Sequence, residues 1–197
     1  MTTARDAIAA DLPRIGQSLA AAFDDDPLWE WLTPDKDRYR RTAAAFFERD
    51  AALRLGTPGR ILVDDDVRGA AIWCAPGAWS SSVGDAARIL RPSLALFGRR
   101  TLTGLNALRS LEKAHPVGPP HWYLSVIGTD PDHQGKGIGS GLIATVTEEC
   151  DREGIPAYLE SSKEANVSYY ARHGFAVTEE FTLKGGPSLW LMWRDPR

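Results

Sequence analysis

The stretch Gln134-Gly135-Lys136-Gly137-Ile138-Gly139 constrains this chain more than any other. An apolar run, Trp122 to Thr129, precedes it, and a helical pattern from Ser140 to Cys150 follows. The order is therefore strand, glycine-rich turn, helix. Glycine lacks the Cβ barrier, so such a turn can aim successive backbone N–H groups into one concavity. The helix start leaves further N–H groups unpaired and adds the positive end of a dipole. Together they predict a phosphate cradle that needs no metal, with Lys136 adding a side-chain charge. The simpler alternative is a tight turn whose glycines serve packing alone.

Spacing excludes two common phosphate sites. A Walker loop needs Gly-x-x-x-x-Gly-Lys-Ser/Thr, and the chain has no such string. A dinucleotide fingerprint needs Gly-x-Gly-x-x-Gly after an early strand, with an acid about 20 residues on. Here the glycines are packed more tightly and come late in the chain.

At 197 residues the chain is expected to be one domain, 1–197, around one sizeable core. Hydrophobic residues are 43% and charged ones 25%, within the globular range. A net charge of −3 argues against nucleic acid as a partner. Cys74 and Cys150 read as buried free thiols of a reducing compartment. Four histidines without ligand spacing support no metal site. Neither a signal peptide nor a membrane-length apolar run is legible, so a cytoplasmic protein is expected, with no membrane partner.

Taken in order, residues 3–8 suit a short edge strand. Asp11 suits an N-cap for a helix carrying Leu12, Ile15, Leu19 and Phe23. Asp24-Asp25-Asp26-Pro27 should end it as an exposed turn. A second helix starts after Thr33-Pro34-Asp35, with Tyr39, Phe46 and Leu53 on one face and a stop at Gly56. Residues 60–64 and 67–74 read as strands around Asp64-Asp65-Asp66. Residues 80–115 are helical in pattern, with breaks near Pro92, Gly98 and Gly104, and basic from Arg88 to Lys113. That run reads as a solvated face, or one that steers an anionic ligand.

Residues 116–120 form a stiff linker to a strand from His121 to Thr129. Alternation puts Trp122, Leu124 and Val126 on one face and His121, Tyr123, Ser125 and Thr129 on the other. In the next helix Ile138, Leu142, Val146 and Cys150 form a stripe. A strand at 157–161, a helix at 165–173 and a hairpin, 175–183 with 188–194, complete an α/β chain with a mixed sheet.

Gln-Gly-Lys-Gly-Ile-Gly after a strand and Asp130-Pro131 resembles the acetyl-CoA pyrophosphate loop of the GNAT acetyltransferases. A second block agrees: Tyr158-Leu159-Glu160-Ser161-Ser162, Asn166, then Tyr169-Tyr170-Ala171-Arg172-His173-Gly174-Phe175. Ala20-Ala21-Ala22-Phe23-Asp24-Asp25-Asp26-Pro27 resembles the puromycin N-acetyltransferase branch. The resemblance is strongest from about 120 to 193. It implies the GNAT fold, a mostly antiparallel mixed sheet flanked by helices whose parallel strands 4 and 5 splay apart. It further implies acetyl-CoA as acyl donor, its pyrophosphate on Gln134 to Ser140 and its pantetheine along Ile127, Gly128 and Thr129. Asn166 matches the family's cofactor-binding Asn, and the residue reading beside it is a helix N-cap.

Acyl transfer to an amine needs a polarised thioester, a proton for the leaving thiolate and a base for the amine. The resemblance makes Tyr170 the general acid, in preference to the adjacent Tyr169. A phenol is protonated at neutral pH and can donate to a thiolate of pKa about 8.5. For the base, the resemblance offers Glu160, and the titration range of imidazole offers His121 at the strand start. His115 and His133 read as surface residues. The acceptor pocket is expected from the first two helices, with Asp26, Trp29 and Trp31, joined by Trp73. Carboxylates and indoles would suit a cationic small-molecule amine. A protein lysine or N-terminus as acceptor, and a non-catalytic acyl-CoA sensor, stay open, as does monomer against homodimer.

Overall fold

The computed structural model describes residues 4–79 and 83–197. Its strands are β1 (Ala4–Asp6), β2 (Gly59–Asp64), β3 (Gly69–Cys74), β4 (Trp122–Thr129), β5 (Ala157–Ser161), β6 (Ala176–Thr182) and β7 (Ser188–Arg194). They form one sheet in the order β1-β2-β3-β4-β5-β7-β6. Among the described residues only the β4–β5 pair is parallel. The helices are α1 (Leu12–Ala22), α2 (Pro27–Leu32), α3 (Lys36–Arg54), α4 (Val83–Phe97), α5 (Thr101–Ala114), α6 (Ile138–Glu153) and α7 (Val167–Arg172). This is the mixed α/β fold, with splayed parallel strands, that the sequence implied.

The α6 stripe of Ile138, Leu142, Val146 and Cys150 is buried against Trp122, Leu124, Leu159 and Met192. Burying each such side chain stabilises by about 1.5–3 kcal/mol. That outweighs the roughly 1 kcal/mol by which each of Gly139 and Gly141 weakens a helix. On the opposite face α1 and α3 bury Ile15, Leu19, Tyr39, Phe47 and Ala51 against Ile61, Val63 and Ile72. A third cluster joins α5 and α2 to the sheet through Tyr158, Leu183, Leu189 and Leu191.

Several expectations are corrected. The buried stripe of α3 is Tyr39, Ala43, Phe47 and Ala51, at four-residue spacing; Phe46 and Leu53 are only half-buried. Asp11 precedes α1 but makes no cap bond to it. Its carboxylate binds Arg5 at 2.7 and 2.9 Å and the Ile8 N–H at 2.9 Å. Asp24 to Asp26 is not simply an exposed turn, because Asp26 is 2% exposed and opens α2. Of the three breaks, Gly98 divides α4 from α5, while Pro92 and Gly104 lie inside helices. The start of that segment, residues 80–82, lies outside the described residues.

The most consequential correction is in β4. Ile72 pairs with Val126 and Trp73 with Leu124, so Ser125 faces no partner on β3. This bulge inserts one residue and reverses the alternation beyond it. Trp122 and Leu124 pack on the α6 side, and Ile127 joins them, whereas Val126 packs on the α1–α3 side.

Candidate active site

Along the far end of β4, between the α1–α2 turn and α7, lies a cleft of about 760 Å³. Its origin is in the register. The two strands pair only at Trp122↔Ala157, Tyr123↔Tyr158 and Leu124↔Leu159. Beyond that fork β4 continues to Thr129 with β3 on one edge and, among the described residues, no strand on the other. An open edge presents main-chain donors and acceptors to a strand-like ligand. Ile127, Gly128 and Thr129 line the cleft there.

At the far end sits the glycine turn. Gly135 and Gly137 have φ of 74° and 80°, a region open to glycine and costly for other residues. The helical ladder begins with Gly141 N–H donating to Gly137 O at 3.0 Å. The N–H groups of Ile138, Gly139 and Ser140 therefore precede it at the positive helix end, which favours an anion. Gln134 Nε2 donates to Thr129 O at 3.1 Å and ties the turn to β4. Gln134, Gly135, Gly137, Ile138, Gly139 and Ser140 all line the cleft. Lys136 does not: its Nζ donates to Asp132 O at 3.2 Å.

Asn166, Tyr169 and Tyr170 form the opposite wall. Asn166 occupies the N-cap position of α7, yet its side chain makes no cap bond. Both tyrosines line the cleft. Tyr169 stands at the turn, where a Cβ on Gly139 would lie 2.7 Å from its Oη. Tyr170 is 7% exposed and packs in the α6 core cluster. Burial first, then the neighbouring Tyr169 and Asp26, hold the Tyr170 phenol above its ordinary pKa, so it stays protonated.

The acceptor-side expectations divide. Asp26 lines the cleft, but its carboxylate is committed. Oδ1 accepts from Leu28 and Trp29 N–H at 2.9 and 3.3 Å, and Oδ2 from Ser162. Burial raises its pKa against those bonds. Its acidic neighbours are paired too, Asp25 with Lys163 at 2.5 Å and Asp24 with Arg40 at 3.7 Å. None of the three tryptophans lines the cleft. Trp73 is 1% exposed in the α6 cluster, and Trp29 packs among Phe23, Phe46, Phe47 and Phe97. Trp31 lies against Gly186 of the β6–β7 turn and accepts from Arg100 at its carbonyl. Aromatic area found more favourable burial in the core than on the cleft wall.

Glu160 and His121 also stand outside the cleft lining. Glu160 is one residue beyond the β4–β5 fork, its side chain 8% exposed. His121 is 4% exposed, and so is His115, which corrects the surface reading of His115. His133 is half-exposed and lines the cleft beside the turn. Phe23, Lys163, Tyr169 and Arg172 line the cleft without having been singled out as its residues. Arg172 carried one legible signal, its place three after Tyr169, and its guanidinium lies 5.6 Å from that ring.

The acetyltransferase (GNAT) family profile matches residues 17–175. The chain belongs to this family. An uncharacterized N-acetyltransferase of Schizosaccharomyces pombe is 28% identical over 189 residues, 89% of this chain and 74% of that protein. Among solved structures, a histone acetyltransferase HPA2 and related acetyltransferase of Corynebacterium glutamicum superposes with TM-score 0.73 at 24% identity, covering 100% of this chain and 98% of that one. A PaiA N-acetyltransferase of Thermoplasma acidophilum in complex with coenzyme A gives TM-score 0.57 at 11% identity, over 99% of both chains.

The GNAT cleft here suits an acyl-CoA. It combines the backbone N–H groups of the glycine turn with an open strand edge. Among the described residues there is no cluster of three or more metal-ligating side chains, and no helix long and apolar enough to cross a membrane.

Proposed function

We propose that this GNAT protein transfers an acetyl group from acetyl-CoA to the primary amine of a small molecule by direct attack in a ternary complex. The observation that carries the reading is the fork: beyond Leu124↔Leu159, β4 offers an open edge in the same cleft as the glycine turn and Tyr170. Gln134 to Ser140 would hold the pyrophosphate, Ile127 to Thr129 the pantetheine, and Asn166 a further polar contact.

The neutral amine attacks the thioester carbonyl, and a C–N bond forms as the C–S bond breaks. Tyr170 gives its phenolic proton to the departing thiolate. Glu160, at the fork on the side of α2 and α5, removes the proton from the amine nitrogen. His121 then acts through neighbours rather than on substrate.

The anchored α1–α2 turn on the cleft wall supports a small acceptor. Asp26–Ser162 and Asp25–Lys163 tie the α1–α2 turn to the end of β5, and Trp31 covers Gly186. The resemblance of residues 20–27 to the puromycin branch points the same way. The test is thiol release from acetyl-CoA across puromycin, aminoglycosides, polyamines and a lysine peptide. Turnover with one small amine supports the reading. Turnover with the peptide alone replaces the acceptor class, and binding without turnover on any amine favours a sensor.

A further inference from the structure

Behind the fork lies a buried cluster that the proposed chemistry has not used. His115 caps the C-terminus of α5, and His121 immediately precedes β4. Their Nε2 atoms are 3.0 Å apart. His121 Nδ1 lies 2.7 Å from Pro119 O, and His115 Nδ1 lies 3.9 Å from Glu160 Oε1. Trp79 stacks on His115 at 3.9 Å, and Tyr123 and Tyr158 meet it edge-on at 4.8 and 4.9 Å. Trp193 closes the His121 side at 5.1 Å.

The hydrogen-bond partners dictate the tautomers. A carbonyl only accepts, so His121 must carry its proton on Nδ1. Neutral His121 then has a lone pair on Nε2, and His115 must donate from its own Nε2. One nitrogen remains: His115 Nδ1 is bare and faces Glu160. Burial first, then the neighbouring His115, lowers the pKa of His121, and this favours its neutral form.

We propose that His115 is a positioning residue for Glu160: locked by His121 in the Nε2–H tautomer, it offers Nδ1 to take up the proton that Glu160 removes from the acceptor amine. The inference rests on the acetyl-transfer reading of the site. The step balances. The amine N–H bond breaks, a Glu160 O–H bond forms transiently, and the proton passes to His115 Nδ1. This leaves an imidazolium between a carboxylate and a neutral imidazole. A charge-assisted N–H···O contact closes to about 2.7–2.9 Å, so a small side-chain rotation completes the pair. After the acetylated product leaves, the proton returns to solvent through Glu160.

The surroundings suit a proton store. Tyr123 and Tyr158 are held well above the ordinary phenol pKa, by burial first and by the Glu160 charge next, so they stay neutral. Beyond Tyr123 stand Cys74 and the Arg54–Asp50 pair, and Glu179 acts on Tyr158. Glu160 is the one described carboxylate paired with either histidine.

Two measurements decide it. First, the ring nitrogens of the wild-type protein are read by long-range ¹⁵N–¹H correlation across pH. His115 is expected as Nε2–H and His121 as Nδ1–H. Nδ1–H on neutral His115 overturns the proposal, and this result needs no turnover. Second, in the acetyl-transfer assay His115→Asn should lower kcat about 10- to 100-fold and displace the acidic limb of the kcat profile. The acetyl-CoA KM should hold. His121→Phe, which releases the tautomer lock, should reduce kcat in the same direction. An unchanged kcat and acidic limb in a folded His115→Asn overturns the proposal. A wild-type protein that acetylates no amine would sink the acetyl-transfer reading instead, leaving the spectroscopic result to stand or fall alone.

Discussion

Ser162 donates a 2.5 Å hydrogen bond to Asp26 Oδ2, joining the end of β5 to the first turn of α2. The same carboxylate caps α2 through Leu28 and Trp29 N–H. One side chain thus lines the cleft and starts α2. Asp26→Ala removes three bonds, and loss of such a cap costs about 1–2 kcal/mol. Asp26→Asn keeps an acceptor for the N–H groups and should cost much less by thermal melting. Because the folded pKa of Asp26 is raised, its ionised form opposes folding. Its contribution should make stability fall as pH rises from the unfolded value toward the folded one, and Asp26→Asn should flatten that slope. An amine KM raised in Asp26→Asn would instead make Asp26 a substrate contact.

Tyr170→Phe tests the acid. The phenyl ring keeps the packing, so the melting temperature should hold. Loss of the proton donor should lower kcat about 100-fold or more, with little change in acetyl-CoA KM. Steady-state kinetics at saturating amine read both. The raised phenol pKa adds that Tyr170 should not cause a basic-limb loss below its ordinary value of about 10.

Gly139 and Tyr169 give a steric test of the cradle. A Cβ at Gly139 would lie 2.7 Å from Tyr169 Oη, with the ring carbon behind it at 3.7 Å. Gly139→Ala should weaken acetyl-CoA binding about tenfold by calorimetry. Removing the hydroxyl with Tyr169→Phe should recover part of that loss in the double variant. Additive losses would mean that the clash is not the cause.

Much of this was legible in the sequence. The strand–turn–helix around Gln134 to Ser140 and the α6 stripe follow from local periodicity and from residues whose backbone freedom is unusual. The β4 bulge was not legible, since Ser125 carries no local sign that its neighbours on β3 skip it. Asp26-Pro27 did carry a helix-start signal, an N-cap residue before a proline at the first helical position. The run of three acids read instead as an exposed turn. Burial of His115 depends on His121 and Glu160, 6 and 45 positions away, and no local pattern encodes that meeting. The three tryptophans were placed by tertiary packing, which spacing alone does not determine.

Gly128 sets how closely β4 approaches α1. A Cβ there would lie 2.7 Å from Ala22 Cβ and 3.1 Å from Leu19 Cδ2, and both belong to a packed helix. Gly128→Ala should cost about 1–3 kcal/mol in denaturant unfolding, with an unchanged m-value.

Asp64 governs acid stability at the β2–β3 turn. It is fully buried and accepts from Arg68 Nε at 2.7 Å, and from the N–H groups of Arg68 and Gly69 at 2.6 and 2.9 Å. Burial alone would raise its pKa; the guanidinium and the N–H groups reverse that and lower it. Its stabilisation is therefore present above the unfolded pKa, near 4, and lost as pH falls through the folded one. Asp64→Asn should lower stability at pH 7 and weaken the acid dependence below pH 4.

The most direct measurement is a titration of the ¹⁵N-labelled protein with acetyl-CoA, followed through its backbone amides. The expected result is saturable binding with the largest shifts at Gly135 to Ser140, a second set at Ile127 to Thr129, and little change around Arg54 to Ile61. No binding, or shifts that leave the glycine turn untouched, would contradict the assignment of the cleft to acyl-CoA.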